Sequence, residues 1–179
     1  MLETLGVDIA GIALFNNDVK GYDSQVTIRN VMNSYCYPNT IVAEKVTGVD
    51  LRQALERCAS FFEVNADGTL RVIDDFAAPK VQLYNYDYYS GIDYTFDLRQ
   101  PVGQRVIQLQ YHGKNVAPND ELKISMSQYR GVGGGTYPMF SEQKIIDQSQ
   151  KTMPQILIDY LKQHKKISAH EPTNLKVII

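Results

Sequence analysis

The sequence predicts an α+β domain with mixed sheets. Short stretches of strand character outnumber helical ones, and the two kinds do not alternate as they would in a doubly wound sheet. The composition is that of an ordinary globular chain, 44% hydrophobic and 21% charged over 179 residues, which excludes a disordered segment or a fibre. No internal repeat, linker or low-complexity stretch divides it, so residues 1–179 read as one domain large enough to bury a core.

Met1 to Asp8 reads as a strand entered midway. From Thr27 to about Tyr35 the spacing of Ile28, Val31 and Met32 predicts a helix, with Thr27 as its cap. Pro38-Asn39 breaks the pattern, and Thr40 to Val46 predicts a strand. A second helix follows Thr47-Gly48-Val49-Asp50, with Leu51, Leu55, Cys58 and Phe62 on its apolar face. Leu70–Asp74, Lys80–Asn85, Ile92–Asp97, Arg105–His112 and Glu121–Ser127 read as strands, separated by turn-forming segments such as Ala117-Pro118-Asn119-Asp120. A third helix starts near Pro154, runs through Ile158 and Leu161, and carries His164-Lys165-Lys166 in its last turn.

Charge excludes one class of partner. The net charge is −2 and no run of Lys or Arg exceeds a pair, so the basic footprint that a nucleic-acid polymer requires is missing. No apolar stretch approaches the roughly 20 residues of a membrane span. Cys36 and Cys58 are too few for a disulfide framework and read as buried free thiols, a single bridge being the alternative. There are 12 Tyr and no Trp, and Tyr84, Tyr86, Tyr88, Tyr89 and Tyr94 cluster. Such a cluster is either an amphipathic strand pair whose phenols reach water or the lining of a ligand cleft.

Catalytic chemistry is not visible in this chain. A two-metal hydrolytic centre gathers about half a dozen Asp, His and Asn ligands. The three histidines, His112, His164 and His170, sit in no Asp-x-His or Asn-His-Asp/Glu arrangement, so no metal site and no catalytic residue is expected. A nucleophile elbow is missing too. The glycine-rich Gly131-Val132-Gly133-Gly134-Gly135-Thr136-Tyr137 lacks the Gly-Lys-Ser/Thr of a phosphate loop, and Pro138 follows where a dinucleotide loop would open a helix.

Two segments combine aromatic rings with polar or side-chain-free backbone: Tyr35-Cys36-Tyr37-Pro38-Asn39-Thr40 and Gln128-Tyr129-Arg130-Gly131-Val132-Gly133-Gly134-Gly135. Rings on both faces of a base contribute about 1–3 kcal/mol each by stacking, and an Asn amide matches a base edge. The first segment, continuing into Thr47 to Glu56, resembles the opening of the 5'-nucleotidase C-terminal domain. Ser90-Gly91-Ile92-Asp93-Tyr94-Thr95-Phe96-Asp97 through Val106, then Tyr129-Arg130 and the glycine run with Tyr137-Pro138-Met139, match the same family in order. Tyr84-Asn85-Tyr86-Asp87, Leu14-Phe15-Asn16 and the closing Asn174-Leu175-Lys176 resemble the branch acting on 2',3'-cyclic nucleotides and 3'-nucleotides.

The resemblance implies a four-layer α/β/β/α domain that binds a nucleotide or nucleoside. It also implies a separate N-terminal metallophosphoesterase domain in cis, absent from this chain, that holds two divalent metal ions. The parent protein would be secreted, periplasmic or wall-attached. Carried over residue by residue, the base sandwich falls on Tyr37 and Tyr129, the base-edge amide on Asn39, and the strand start approaching the base on Ser90 and Gly91. The loop glycines are Gly133, Gly134 and Gly135. Gly135 stands where many 5'-nucleotidases carry an Asp that grips the ribose diol, a departure suited to substrates whose 2' or 3' oxygen is esterified. Asn16 and Asn17 fall roughly where the family carries an arginine-bearing segment, and Gln128 stands where Asn is commoner.

Overall fold

The computed structural model describes residues 1–14, 21–22, 24–168 and 172–179; Phe15, Asn16, Asn17 and His170 lie outside the described residues. The helices are α1 (Leu2–Leu5), α2 (Ile28–Ser34), α3 (Gly48–Ala59), α4 (Asp74–Ala77), α5 (Gln128–Gly131) and α6 (Met153–Gln163). The strands are β1 (Ile9–Ala13), β2 (Thr40–Thr47), β3 (Phe62–Val64), β4 (Leu70–Val72), β5 (Asp87–Ser90), β6 (Asp93–Asp97), β7 (Val106–Tyr111), β8 (Lys114–Asn115), β9 (Glu121–Ser127), β10 (Ile145–Thr152) and β11 (Leu175–Ile178).

Two sheets dominate, and both are mixed. The first has the order β10-β2-β9-β1-β5, with β1 parallel to β9 and the other pairs antiparallel. The second runs β11-β6-β7-β8, with β11 parallel to β6. A short β3-β4 hairpin stands apart. The α+β class with mixed sheets is therefore the observed one.

The principal core fills the space among β1, β2, β9, α3, β6 and β7, where Ile9, Val42, Leu51, Leu55, Phe96, Leu109, Ile124 and Met126 meet. α3 reaches both sheets, packing on β2 and β7. A smaller cluster, Tyr35, Ile41, Met153 and Ile156, seats α2 and α6 beside β2.

Caps place the helices. Thr27 closes a capping box with Asn30, and Thr152 closes one with Gln155. Thr47 does the same with Asp50, so α3 begins at Gly48 rather than after Asp50. Gly48 cannot carry a side chain, because a Cβ there would lie 2.0 Å from the Ala117 carbonyl oxygen.

Several expectations are corrected. Met1 to Asp8 is not a strand: Leu2–Leu5 forms a helical turn ended by Gly6 in the left-handed region, and the strand begins at Ile9. Lys80–Asn85 is no strand either. Its last residues form a 3-10 turn at Leu83–Asn85, and extended pairing starts at Asp87, where β1 offers a partner. Asp74 opens α4 rather than ending a strand. Phe62 lies beyond α3, in β3, and Lys165 and Lys166 lie beyond α6. Cys58 is buried and free, but Cys36 is free and exposed. The strands β10 and β11 carry little apolar alternation because each pairs along one edge only and stays largely exposed.

Candidate functional site

β1, β2 and β9 end near one another, and their ends converge on a cleft of about 250 Å³ lined by Ala13, Tyr37, Asn39, Tyr84, Ser127, Tyr129 and Arg130. Tyr37, Asn39 and Tyr129 are thus brought to one surface opening, although more than ninety residues separate the two rings in sequence. Each of the two rings is 45% exposed, so neither is sealed in the core nor detached from it.

Local structure fixes each of them. Tyr37 and Asn39 lie on the bend between α2 and β2, where Pro38 stops helical continuation. The Asn39 carbonyl accepts a 2.8 Å hydrogen bond from the Met153 amide, and its side chain engages the phenol of Tyr35. Burial is the main reason that this phenol is pushed up to about 12. Tyr129 sits in α5, whose start is capped by Ser127: its Oγ accepts from the Arg130 amide at 3.3 Å.

Arg130 is the structural centre of the floor. It is buried, and its fork donates to both carboxylate oxygens of Asp87, at 2.7 Å from Nε and 2.9 Å from Nη2. Nη2 also donates to the Tyr84 carbonyl at 2.8 Å, Nη1 donates to the Gly134 carbonyl, and the guanidinium lies 3.8 Å from the centre of the Tyr137 ring. Burial alone would lower the Arg130 pKa; the adjacent Asp87 carboxylate more than offsets this and holds the cation charged. Tyr137 in turn donates to the Asn85 carbonyl at 3.0 Å and meets the Cys58 sulfur at 3.2 Å. Burial pushes that thiol up to about 12, so Cys58 is a packing group rather than a nucleophile.

The glycine run stands behind the ring. A Cβ on Gly134 would lie 2.4 Å from the Tyr129 carbonyl oxygen and 2.7 Å from its ring. Gly135, at φ +72°, would bring one to 2.3 Å from Arg130 Nη1 and 2.4 Å from Asn85 Oδ1. Gly133, at φ +84°, donates its amide to the Arg130 carbonyl at 2.9 Å. These three glycines therefore let the backbone fold over Tyr129 and Arg130, and none of them lines the cleft itself.

Ser90 and Gly91 are placed elsewhere. Ser90 pairs with Ala10, while Ala13, which lines the cleft, pairs with Asp87. Three residues of strand span about 10 Å. Gly91, at φ +87°, presses on the start of β1, where a Cβ would lie 1.9 Å from the Asp8 carbonyl oxygen. The close approach that demands a glycine there is to backbone. Asn174 secures the same turn by donating to the Tyr89 and Ile92 carbonyls at 2.8 and 2.6 Å.

Sequence reasoning passed over Ala13, Ser127 and Arg130 as lining residues and left Tyr84 undistinguished within its cluster. The adjacency of Arg130 to Tyr129 was the available signal. Among the described residues, no three His, Cys, Asp or Glu side chains gather into a metal-binding group, and no helix is long and apolar enough to cross a membrane.

Comparison with known proteins shows the class of domain to which this fold belongs. The profile of the family described as "5'-nucleotidase, C-terminal domain" matches residues 1–142. A 2',3'-cyclic-nucleotide 2'-phosphodiesterase/3'-nucleotidase of Haemophilus influenzae is 33% identical over 165 residues, covering 82% of this chain and 24% of that protein. The trifunctional nucleotide phosphoesterase protein YfkN of Bacillus subtilis is 27% identical over 167 residues, 85% of this chain and 11% of that protein. A crystal structure from Staphylococcus aureus, described as a 5'-nucleotidase in complex with alpha-ketoglutarate, superposes with a TM-score of 0.92 at 36% identity, covering 99% of this chain and 34% of that one. The chain belongs to the 5'-nucleotidase C-terminal domain family. It spans about a quarter of the length of the Haemophilus relative and about a third of the Staphylococcus chain.

Proposed function

We propose that this chain is the substrate-recognition domain of a secreted two-domain phosphohydrolase that acts on 2',3'-cyclic nucleotides and 3'-nucleotides. One observation carries the reading: Tyr37 and Asn39 line a single open cleft of about 250 Å³ with Tyr129, which is far from both in sequence. A base enters between the two phenol rings and meets the Asn39 amide at its edge. Sugar and phosphate then face outward, toward an N-terminal metallophosphoesterase domain that supplies two divalent metal ions and all the bond-breaking chemistry. This chain contributes binding and orientation.

The backbone at Gly135 supports the choice of substrate. A side chain there meets Arg130 and Asn85, so no carboxylate is set to hold a free ribose diol. Substrates whose 2' or 3' oxygen carries phosphate do not need that grip. A second reading, the recognition domain of a 5'-nucleotidase, draws support from the likeness to the Staphylococcus structure.

Stacking of a few kcal/mol, less the costs of association, supports millimolar to high-micromolar affinity. Titration of the chain with 3'-AMP and 5'-AMP, followed by amide chemical shifts, tests the proposal. Shifts should centre on Tyr37 and Tyr129, and Tyr37→Ala should abolish them. An unchanged response in that variant removes Tyr37 from the site, and clear preference for 5'-AMP favours the second reading. The isolated chain should hydrolyse neither ligand with Mn²⁺ or Co²⁺ added; turnover that follows the chain through purification would overturn the division of labour.

A further inference from the structure

The cluster of tyrosines between positions 84 and 94 is not uniform. Tyr86 packs its ring against Phe61 and Phe62, with centroids 5.6 and 5.2 Å away. Tyr88 donates its hydroxyl to Asn174 and lies 6.4 Å from the Tyr94 ring. Tyr89 is buried, with its hydroxyl 3.5 Å from Asp87 Oδ2. Tyr94 lies 5.4 Å from Phe96 and holds the Tyr89 amide on its hydroxyl at 3.3 Å. Every one of these rings is occupied by the protein itself.

Tyr84 differs. It is half-buried and lines the cleft beside Tyr37, Asn39 and Tyr129. Among the described residues, no ring contact or side-chain hydrogen bond engages its phenol. Its backbone, by contrast, is fixed: the Tyr84 carbonyl accepts from Arg130 Nη2 at 2.8 Å, and Arg130 is locked to Asp87 by its fork. Arg130 directly follows Tyr129, so one buried cation ties the two positions together.

We propose that Tyr84 is a third ligand-contacting wall of the cleft, a specificity residue held in register with Tyr129 by Arg130. This rests on the reading of the cleft as a base site. A rigid backbone beneath a phenol that no described residue engages lowers the ordering cost of binding, which is what a recognition surface requires. The ligand it serves is a planar, uncharged heteroaromatic ring, because Arg130 is neutralised by Asp87 and the other lining residues are Ala13, Asn39, Ser127 and three tyrosines.

Adenosine is the probe, titrated into the full chain and into Tyr84→Leu, Tyr84→Phe and Tyr37→Ala variants, with dissociation constants read from amide shifts. Tyr84→Leu should bind at least about 5-fold more weakly, the loss of one aromatic contact, while Tyr84→Phe stays within about 2-fold. Undiminished affinity in both Tyr84 variants, with Tyr37→Ala losing the response, overturns the Tyr84 assignment and leaves the base cleft standing. An undiminished response in Tyr37→Ala brings down the underlying reading instead. The unaltered chain supplies a readout independent of any variant's folding. Transferred nuclear Overhauser effects from adenosine base protons should reach the ring protons of Tyr84 as well as those of Tyr37 and Tyr129. Effects confined to the last two would equally overturn the assignment.

Discussion

Two sets of tyrosines in this molecule do opposite work. Tyr89, Tyr94 and Tyr137 are buried, and their hydroxyls contact backbone amides and carbonyls, a carboxylate or the Cys58 sulfur. Burial pushes all three phenols above their ordinary range. Tyr37, Tyr84 and Tyr129 line one cleft and stay partly open to water. The residue type is the same, and its surroundings decide whether it stabilises the fold or presents a surface. A phenol suits both, because its apolar ring packs while its hydroxyl finds a partner in protein or in solvent.

Between the two sets stands the Arg130–Asp87 pair, and the largest effect should come from breaking it. Arg130→Met leaves the Asp87 carboxylate buried without its partner and should cost about 3–5 kcal/mol in denaturant unfolding. A loss below about 1 kcal/mol would mean that the floor of the cleft does not depend on this pair.

Glu44 tests how far burial without charge compensation reaches. It is fully buried in β2, no hydrogen bond of ordinary geometry meets its carboxylate oxygens among the described residues, and its pKa is raised to about 7. Burial is the main cause; the Ser141 backbone and Lys144 oppose it, and Asp50 adds to it. The folded chain thus binds the proton more tightly than the unfolded chain. The contribution of Glu44 to stability should be full below about pH 4.5 and be lost as pH rises to about 7, by about 3 kcal/mol. Glu44→Gln should flatten this stretch of the pH profile, and an equally sloped profile would remove Glu44 as its source.

Tyr137→Phe removes one hydroxyl from the core set, leaving the Asn85 carbonyl without its donor, and should cost about 1 kcal/mol. Tyr129→Ala sharpens the contrast at the small end. It should change stability by about 0.5 kcal/mol, as an exposed position does, while the adenosine response disappears. If Tyr129→Ala cost more than Tyr137→Phe, the division between core and cleft tyrosines would fail.

Much of this was legible along the chain. Capping at Thr27, the apolar spacing of α3 and the strand at Glu121–Ser127 are local signals, governed by hydrogen bonds and side chains a few residues apart. The edge strands β10 and β11 were not, because pairing with a distant strand, rather than their own pattern, makes them extended. At the site, Tyr37, Asn39 and Tyr129 were named from turn chemistry and family resemblance. Ser90 and Gly91 were named from the resemblance alone, and Ser90 pairs with β1 while Gly91 presses on the backbone at its start.

The sequence by itself determined the α+β class, the family, the three principal helices and the lack of a basic footprint, since these depend on composition, spacing and local motifs. Only the tertiary structure decided which tyrosines face outward, that Tyr84 joins the cleft, and that Arg130 spans its floor. Those outcomes depend on β1, β2 and β9 lying side by side. Such pairing is set by burial summed over the whole core, and no window along the chain records it.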